Sequence, residues 1–220
     1  MMQGVHPYVQ IGRDPCIDPG AFVGYPPSRV IPDLLLVIGD NAKVRTGTII
    51  YAGSRIGHNL ETGHHAVIRE ENDLGNHVRV WNGSVIDYGC VIGDRVKIHS
   101  QVYIAQFTVI EEDVFLAPGV TITNDPHPGC AFSLECMRGP VVKRGAQVGA
   151  NSVLLPHIVI GEYSVIGAGS VVTKEVPPFS VVSGNPARLR GTVDELVCKR
   201  GITARPYGVT GANRKPPWAP

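Results

Sequence analysis

The sequence predicts an all-β protein in which six-residue repeats wind into a parallel β-helix. An aliphatic residue recurs at every sixth position from Ile38 to Ile122, and Thr62 is the single exception among fifteen positions. A small or branched residue follows most of these positions four residues later, and the same register returns from Val142 to Val172. A β-sandwich would show alternation with a period of two, so the period of six excludes it.

The period of six also predicts how the chain folds in space. Each hexapeptide forms a short strand and a corner, and three of them complete a coil of 18 residues. Stacked coils pair their backbone groups with the coils above and below, while the aliphatic columns fill the interior. A first fragment of the pattern, Ile11, Ile17 and Val23, opens the chain.

Two segments interrupt the repeat and are predicted to leave the coil. The stretch from Val23 to Leu36 contains Gly24, Pro26 and Pro27, which favour a loop. Ile122 and Val142 are 20 positions apart, which is not a multiple of six, so residues 124–140 are predicted to form a long external loop. Long loops on rigid scaffolds often carry function.

The coil is predicted to stop at Pro177-Pro178. Thr192 and Glu195 form a capping-box pattern, which predicts a short helix from Thr192 to Lys199. The last twenty residues are predicted to be an extended tail. We therefore expect a β-helix domain over residues 1–190 and a C-terminal helix and tail over residues 191–220.

Composition narrows the classes of partner. Lys and Arg number 20 against 19 Asp and Glu, so there is no basic field for nucleic acid. The longest apolar run, Val30–Ile38, is interrupted and too short to span a membrane. Five irregularly spaced cysteines, with no charged-then-apolar leader, predict reduced thiols in the cytoplasm.

Residues 18 positions apart stack on one corner of the coil, and one such column is polar at its start. His64, Asn82 and Ser100 form this upper part, and with the external loop excised the column continues through Pro118, Ala150 and Ala168. Polar residues above could hold an acceptor, and small residues below would let a thin, extended ligand lie along the axis. The alternative for each polar residue is a solvated corner.

Two C-terminal segments resemble the signature of the hexapeptide-repeat acyltransferases. They are VIGAGSVVTKEVPP at residues 165–178 and GNPAR at residues 184–188, and the resemblance covers residues 38–190. Within that superfamily the chain is most similar to nucleotide-sugar N-acetyltransferases and to galactoside and maltose acetyltransferases. The resemblance implies left-handed winding, a homotrimer with sites at subunit interfaces, and acetyl-CoA as the acyl donor.

The resemblance also places a catalytic histidine at His127, eleven residues beyond Leu116 in the external loop. A neutral imidazole can take the proton from an amine or hydroxyl that attacks the thioester. Asp125 or Asn124 could orient its ring. Two alternatives remain open, because His127 could cap a turn between prolines or bind the acceptor without abstracting a proton.

The acceptor residues are expected on the polar half of the column. Thr62 replaces the usual aliphatic residue, which indicates either a widened acceptor site or a tolerated core substitution. Trp81 could stack on a sugar or base, or could be structural. We expect the acceptor to be an amine on a nucleotide-linked sugar, with O-acetylation of a simple hydroxyl as the alternative. The predicted acceptor-binding residues are His64, His65, Asn82, Ser100 and Gln101.

The donor is expected on the lower half of the column. The resemblance implies that backbone amides at Gly149-Ala150 and Gly167-Ala168 bind the pantetheine arm. Lys174, Arg188 and Arg190 could neutralise the phosphates, or could be ordinary surface charges.

Three further readings of the sequence are disfavoured. A zinc site in the external loop would use His127, Cys130 and Cys136, but a fourth ligand is not evident. The γ-class carbonic anhydrases share this fold and use two histidines five residues apart, a spacing that the eight histidines here lack. A purely structural β-helix would be expected to lose the long loop and the polar column.

Overall fold

The computed structural model describes residues 8–207, which form a left-handed parallel β-helix with three sheets around one core. Up to the strand Val171–Val172, successive strands enter three sheets in turn, called I, II and III, so each complete coil contributes one strand to each sheet. Strands one coil apart pair in parallel with the predicted 18-residue register, as in Arg79 with Lys97 and Val85 with Tyr103. Across the external loop the register is kept, because Phe115 pairs with Gln147.

The strands are two to five residues long. Sheet I contains Val9–Ile11, Leu36–Ile38, Arg55–Ile56, Asp73–Leu74, Val91–Ile92, Val109–Ile110, Val141–Val142 and Val159–Ile160. Sheet II contains Cys16–Ile17, Lys43–Val44, Glu61–Thr62, Arg79–Val80, Lys97–Ile98, Phe115–Leu116, Gln147–Val148, Val165–Ile166, Ser180–Ser183 and Arg188–Thr192. Sheet III contains Phe22–Tyr25, Ile49–Tyr51, Val67–Ile68, Val85–Ile86, Tyr103–Ile104, Thr121–Ile122, Val153–Leu154 and Val171–Val172.

The aliphatic column predicted from the sequence is the core. Its side chains from Ile38 to Ile122 and from Val142 to Val172 are buried in a single cluster. Thr62 is also buried, and its Oγ1 lies 3.0 Å from Thr48 Oγ1 and accepts the Arg45 backbone N–H. Because its hydroxyl is hydrogen-bonded inside the prism, Thr62 is a tolerated core substitution and does not widen a ligand site.

Three consecutive coils place a glycine at the corner between sheets I and II, close to the backbone of the next coil. A Cβ on Gly93 would lie 2.6 Å from the backbone nitrogen of Glu112 in the next coil. Gly75 and Gly57 occupy the same place one and two coils earlier, with similar contacts to the backbone below. Close coil spacing favours glycine at these three positions, whereas Glu111 and Lys143 occupy the equivalent place in the next two coils.

The C-terminal segment differs from the prediction. The chain continues beyond Pro177-Pro178 as strand Ser180–Ser183, and Arg188–Thr192 turns back to pair with it in an antiparallel manner. The expected helix from Thr192 to Lys199 is only a single 3-10 turn, Val193–Glu195. Its predicted capping box is present, and the Thr192 N–H donates to Glu195 Oε2 at 2.8 Å. The last residues of the predicted tail, 208–220, lie outside the described residues.

All five cysteines, which lie within the described residues, are free thiols. Burial raises the pKa of the Cys90 thiol to about 12, so this residue is a small core side chain. No helix within residues 8–207 has the length and apolar character needed to cross a membrane.

Candidate active site

The predicted polar column is assembled as expected on the corner between sheets II and III. A ladder of backbone hydrogen bonds connects it, from Gly83 N–H to His64 O, from Gln101 N–H to Asn82 O and from Gly119 N–H to Ser100 O. Past the external loop the ladder continues from Asn151 N–H to Pro118 O and from Gly169 N–H to Ala150 O. The external loop is therefore inserted into the coil without changing which residues stack on this corner.

Two of the predicted acceptor residues have a structural role in this column. Asn82 Oδ1 accepts the backbone N–H of His64 at 2.8 Å, which fixes the amide and leaves its amino group for a ligand. Ser100 is half-buried, and its backbone N–H donates to His99 Nδ1 at 2.9 Å. His64 remains exposed at the surface of the column.

A second line of the same corner alternates glycine with a longer side chain. Gly47, Gly83 and Gly119 have φ values of +76°, +64° and +72°, a region that favours glycine. The side chains of the next coil occupy the space beside these glycines that a Cβ would fill. They belong to His65, Gln101 and Asn151. His65 and Gln101 thus rest against the prism as exposed polar groups, and Asn151 is a third such group that the sequence analysis missed.

The lower half of the column is an open strip of small residues. Ala168 is exposed, Ala150 is half-buried, and no atom would lie within 4 Å of a Cβ on Gly169 apart from its chain neighbours. Glycine at position 149 is explained by packing, because a Cβ there would lie 2.5 Å from the backbone nitrogen of Ala168. A thin ligand can lie against this strip without meeting a side chain.

The predicted phosphate-binding residues lie on two different corners. Arg188 is exposed on the last strand, and Arg190 Nε donates to Ser183 Oγ at 3.0 Å, at the end of the small-residue strip. Lys174 follows the last strand of sheet III and lies on the corner between sheets III and I. Within one chain, Arg188 and Arg190 can therefore contact a ligand that lies on the strip, whereas Lys174 lies on a different corner.

The external loop leaves the prism at the corner between sheets III and I and contains a helical turn, Ser133–Cys136. Its neck is closed by a 2.8 Å hydrogen bond from the Arg138 N–H to Asn124 O. His157 of the following coil binds the carbonyl oxygen of Cys136 through Nε2 at 2.7 Å. The loop is thereby held at both its neck and its helical turn.

His127 is exposed on this loop, and its imidazole makes no hydrogen bond to any described residue. Asp125 does not orient the ring as expected, because Oδ1 accepts the His127 backbone N–H and Oδ2 accepts the Ser133 hydroxyl. These two bonds hold the pKa of the Asp125 carboxyl below its ordinary value. Asn124 is buried, and its amide binds Gln106. Both residues shape the loop that presents His127.

The zinc reading is not supported by the geometry. Among the described residues, no group of three His, Cys, Asp or Glu side chains is placed to hold a metal ion. A turn from His127 O to Cys130 N–H, followed by the helical turn ending at Cys136, fills the segment that would have to wrap the ion.

The two halves of the predicted site lie at opposite edges of sheet III. The polar column and small-residue strip precede each strand of this sheet, whereas the loop bearing His127 follows the strand Thr121–Ile122. One chain therefore does not bring His127 to the column.

Trp81 is partly buried beside His99, with ring centroids 6.4 Å apart. Its Nε1 is buried and has no hydrogen-bond partner within the described part of the chain. This burial favours the structural reading of Trp81 over a stacking surface for a ligand.

A buried polar cluster at the corner between sheets III and I was not predicted. It follows the same 18-residue spacing as the polar column, through Glu70, Tyr88, Gln106 and Asn124, so the same column test applied to this corner would have found it. Asp87 lies within it and accepts hydrogen bonds from Tyr103 Oη and Gln106 Nε2.

Comparisons with known proteins agree with this architecture. Residues 89–124 and 139–174 match the family described as bacterial transferase hexapeptide (six repeats). The structure of a UDP-N-acetylglucosamine acyltransferase from Bacteroides fragilis superposes with a TM-score of 0.63, covering 86% of this chain and 72% of that chain at 18% identity. That identity supports the fold alone.

Two curated relatives share parts of the sequence. A dTDP-3-amino-3,6-dideoxy-α-D-galactopyranose 3-N-acetyltransferase from Aneurinibacillus thermoaerophilus is 49% identical over 59 residues, which is 27% of this chain and 31% of the relative. Serine acetyltransferase 4 from Arabidopsis thaliana is 33% identical over 129 residues, 56% of this chain and 30% of the relative. The chain spans less than half the length of the curated relatives it matches. Residues 89–124 and 139–174 are thus similar to bacterial transferase hexapeptide repeats, and the described residues form a left-handed β-helix.

Proposed function

We propose that the protein transfers an acetyl group from acetyl-CoA to an amine on a nucleotide-linked sugar. The observation that carries this proposal is the open strip at Ala150, Ala168 and Gly169, which ends beside Arg188 and Arg190. A thin pantetheine arm fits the strip, and the guanidinium groups suit the phosphates of the donor. The name of the 49% identical relative supports both the acetyl transfer and the class of acceptor.

His127 is the proposed general base. Acetyl-CoA supplies the activated thioester carbonyl. The exposed imidazole takes the proton from the acceptor nitrogen as that nitrogen bonds to the carbonyl carbon, and the thiolate leaves. Asp125 supports the base by accepting the His127 backbone N–H, and Asn124 by fixing the start of the loop against Gln106.

A complete site requires two chains. Since the small-residue strip and the His127 loop lie at opposite edges of sheet III, we infer that the loop of one protomer meets the strip of another in a homotrimer. The outward side chains of this sheet support such packing, because Ile49, Val67 and Val85 make a half-buried apolar row in the isolated chain, and Val153 lies further down the same face beyond Tyr103 and Thr121. Each trimer would hold three sites.

Transfer to a hydroxyl is the second candidate. The relative named serine acetyltransferase 4 supports it, and an imidazole base suits a hydroxyl acceptor because a hydroxyl must lose its proton during attack.

Thiol release from acetyl-CoA, measured with a panel of acceptors, tests the proposal. The panel contains UDP-, dTDP- and GDP-linked amino sugars, free sugars and serine, and we expect turnover only with a nucleotide-linked amino sugar. His127→Ala should lower turnover by about 10²- to 10⁴-fold, while the rise in melting temperature caused by coenzyme A stays the same.

His77→Ala is the matched control, because His77 is an exposed histidine on the corner between sheets I and II. It should retain wild-type turnover. No thiol release with any acceptor would overturn the proposed activity, and an active His127→Ala variant between pH 6 and 9 would remove His127 from the mechanism. Turnover with serine or free sugars alone would favour the second candidate.

A further inference from the structure

A line of hydrogen-bonded side chains runs down three coils to the neck of the external loop. Asp87 Oδ2 accepts a hydrogen bond from Gln106 Nε2 at 2.6 Å, and Gln106 Oε1 accepts one from Asn124 Nδ2, also at 2.6 Å. Asn124 O then accepts the Arg138 N–H that closes the loop. We call Asp87, Gln106 and Asn124 the amide relay.

The relay can be oriented in only one way. A carboxylate is an acceptor without a proton to donate, so Gln106 must turn its amino group towards Asp87 and its oxygen towards Asn124. Asn124 must then turn its amino group back towards Gln106, where it also lies 3.4 Å from the Gln106 carbonyl oxygen. The charge on Asp87 thus decides how the amide at the loop neck is placed.

Burial and neighbouring charges hold Asp87 firmly. The residue is 5% exposed, and its carboxylate also accepts bonds from Arg69 Nη1 at 2.8 Å and Tyr103 Oη at 2.9 Å. Burial, and then the bond to Asp87, raise the pKa of Tyr103 to about 12, so its phenol keeps its proton and donates.

The loop between the strands Phe22–Tyr25 and Leu36–Ile38 also contacts this cluster through Arg29. Arg69 binds Glu70 at 2.9 Å, and Glu70 in turn accepts a bond from Arg29 at 3.1 Å. Arg29 lies between strands Phe22–Tyr25 and Leu36–Ile38, so the two segments that leave the coil are joined through one buried network.

We propose that Asp87 is a positioning residue that holds the external loop, and with it His127, through Gln106 and Asn124. The effect on turnover rests on the proposed function, whereas the effect on the loop does not. Asp87 contributes through the orientation of the relay, and it is separate from the groups that contact substrate.

Asp87→Asn tests this directly. One face of the new amide meets Arg69 and the Tyr88 backbone N–H, which can only donate, so the asparagine oxygen must turn towards them. Its amino group then faces Gln106, whose amide has to flip, and Asn124 must flip in turn. That flip replaces the Asn124 amino group, which lies 3.4 Å from the Gln106 backbone carbonyl oxygen, with an oxygen that is repelled there. We expect hydrogen exchange of the Arg138 N–H to rise about tenfold and kcat to fall about tenfold, with KM for acetyl-CoA unchanged.

A second substitution should restore the relay. In Asp87→Asn/Gln106→Glu, the asparagine amino group donates to one carboxylate oxygen of Glu, and the other oxygen accepts from Asn124. The pair exchanges an acid and an amide without changing net charge. Exchange and kcat should return to within about threefold of wild type, which a merely structural loss at Asp87 would not do.

Asp113→Asn is the matched control, since Asp113 is held by Arg95 at 2.7 and 2.9 Å on the corner between sheets I and II. It should leave loop exchange and kcat unchanged. Wild-type exchange in Asp87→Asn, or an unrestored double variant, would overturn the positioning role. If the loop responds as expected but wild-type protein releases no thiol with any acceptor, the proposed function fails and the positioning of the loop stands.

Discussion

At the residue scale, Glu70 shows how a carboxylate is tolerated inside the corner between sheets III and I. Its side chain has no exposed surface, yet hydrogen bonds from Arg29 and Arg69 satisfy it. Burial alone would raise the pKa of Glu70, but these bonds and a backbone hydrogen bond outweigh burial, and the pKa is lowered from 4.5. The charged form is therefore the one that the fold stabilises.

This shift predicts a pH dependence of stability. A group with a lowered pKa in the folded state stabilises the protein above its unfolded pKa, and this contribution is lost as pH falls through the folded value. Glu70→Gln should lower the free energy of unfolding at pH 7 by about 1–3 kcal/mol. It should also make stability fall less steeply than in wild type below pH 4.5, the ordinary value for glutamate. Urea unfolding at several pH values measures both effects.

Glu71 offers a matched control, because it also binds Arg29, at 2.9 Å, but its side chain is 35% exposed whereas that of Glu70 is fully buried. Glu71→Gln should change stability little at any pH, since exposed ion pairs contribute weakly. Equal effects of the two substitutions, or an unchanged acid slope in Glu70→Gln, would contradict the role assigned to Glu70.

At the scale of the elements, the sequence predicts the coils well and the segments outside them poorly. A side chain on the coil is placed by its position in the hexapeptide, so the columns through His64 and Ala168 could be read directly. The helical turn Ser133–Cys136 and the strand Arg188–Thr192 have no repeat to place them. Their form depends on tertiary hydrogen bonds, such as the one from His157 to Cys136 O.

The candidate site shows the same division. The position of His127 on the loop could be predicted, but the partners of Asp125 could not, because local turn formation competes with binding the imidazole. The role of Asp87 could not be predicted from its position in the repeat, because it depends on hydrogen bonds from Tyr103 and Gln106 of the next coil.

Substitutions at two glycines compare two reasons for glycine on the coil, close contact with the next coil at Gly93 and a positive φ at Gly169. Gly93→Ala would place a Cβ 2.6 Å from the backbone of Glu112, whereas Gly169→Ala has open space but a φ of +69°. We expect Gly93→Ala to lower the free energy of unfolding by about 3 kcal/mol through overpacking. Gly169→Ala should cost about 1 kcal/mol, from left-handed backbone strain alone. Urea midpoints compare them, and equal losses would contradict close coil stacking as the reason for Gly93.

At the scale of the whole molecule, the straight prism separates the parts of the proposed site. Sheet III lies between the small-residue strip and the external loop. The proposed chemistry thus depends on assembly, since His127 of one chain must reach the strip of another.

Mixing two inactive variants tests this central claim most directly. His127→Ala removes the base, and Ala168→Trp fills the exposed strip; each variant alone should form trimers with little turnover. Trimers assembled from equal amounts of both should regain up to about a quarter of wild-type thiol release, because one in four interfaces joins an intact loop to an intact strip. Mixed trimers, verified by mass, that remain as inactive as their parents would contradict a site shared between chains.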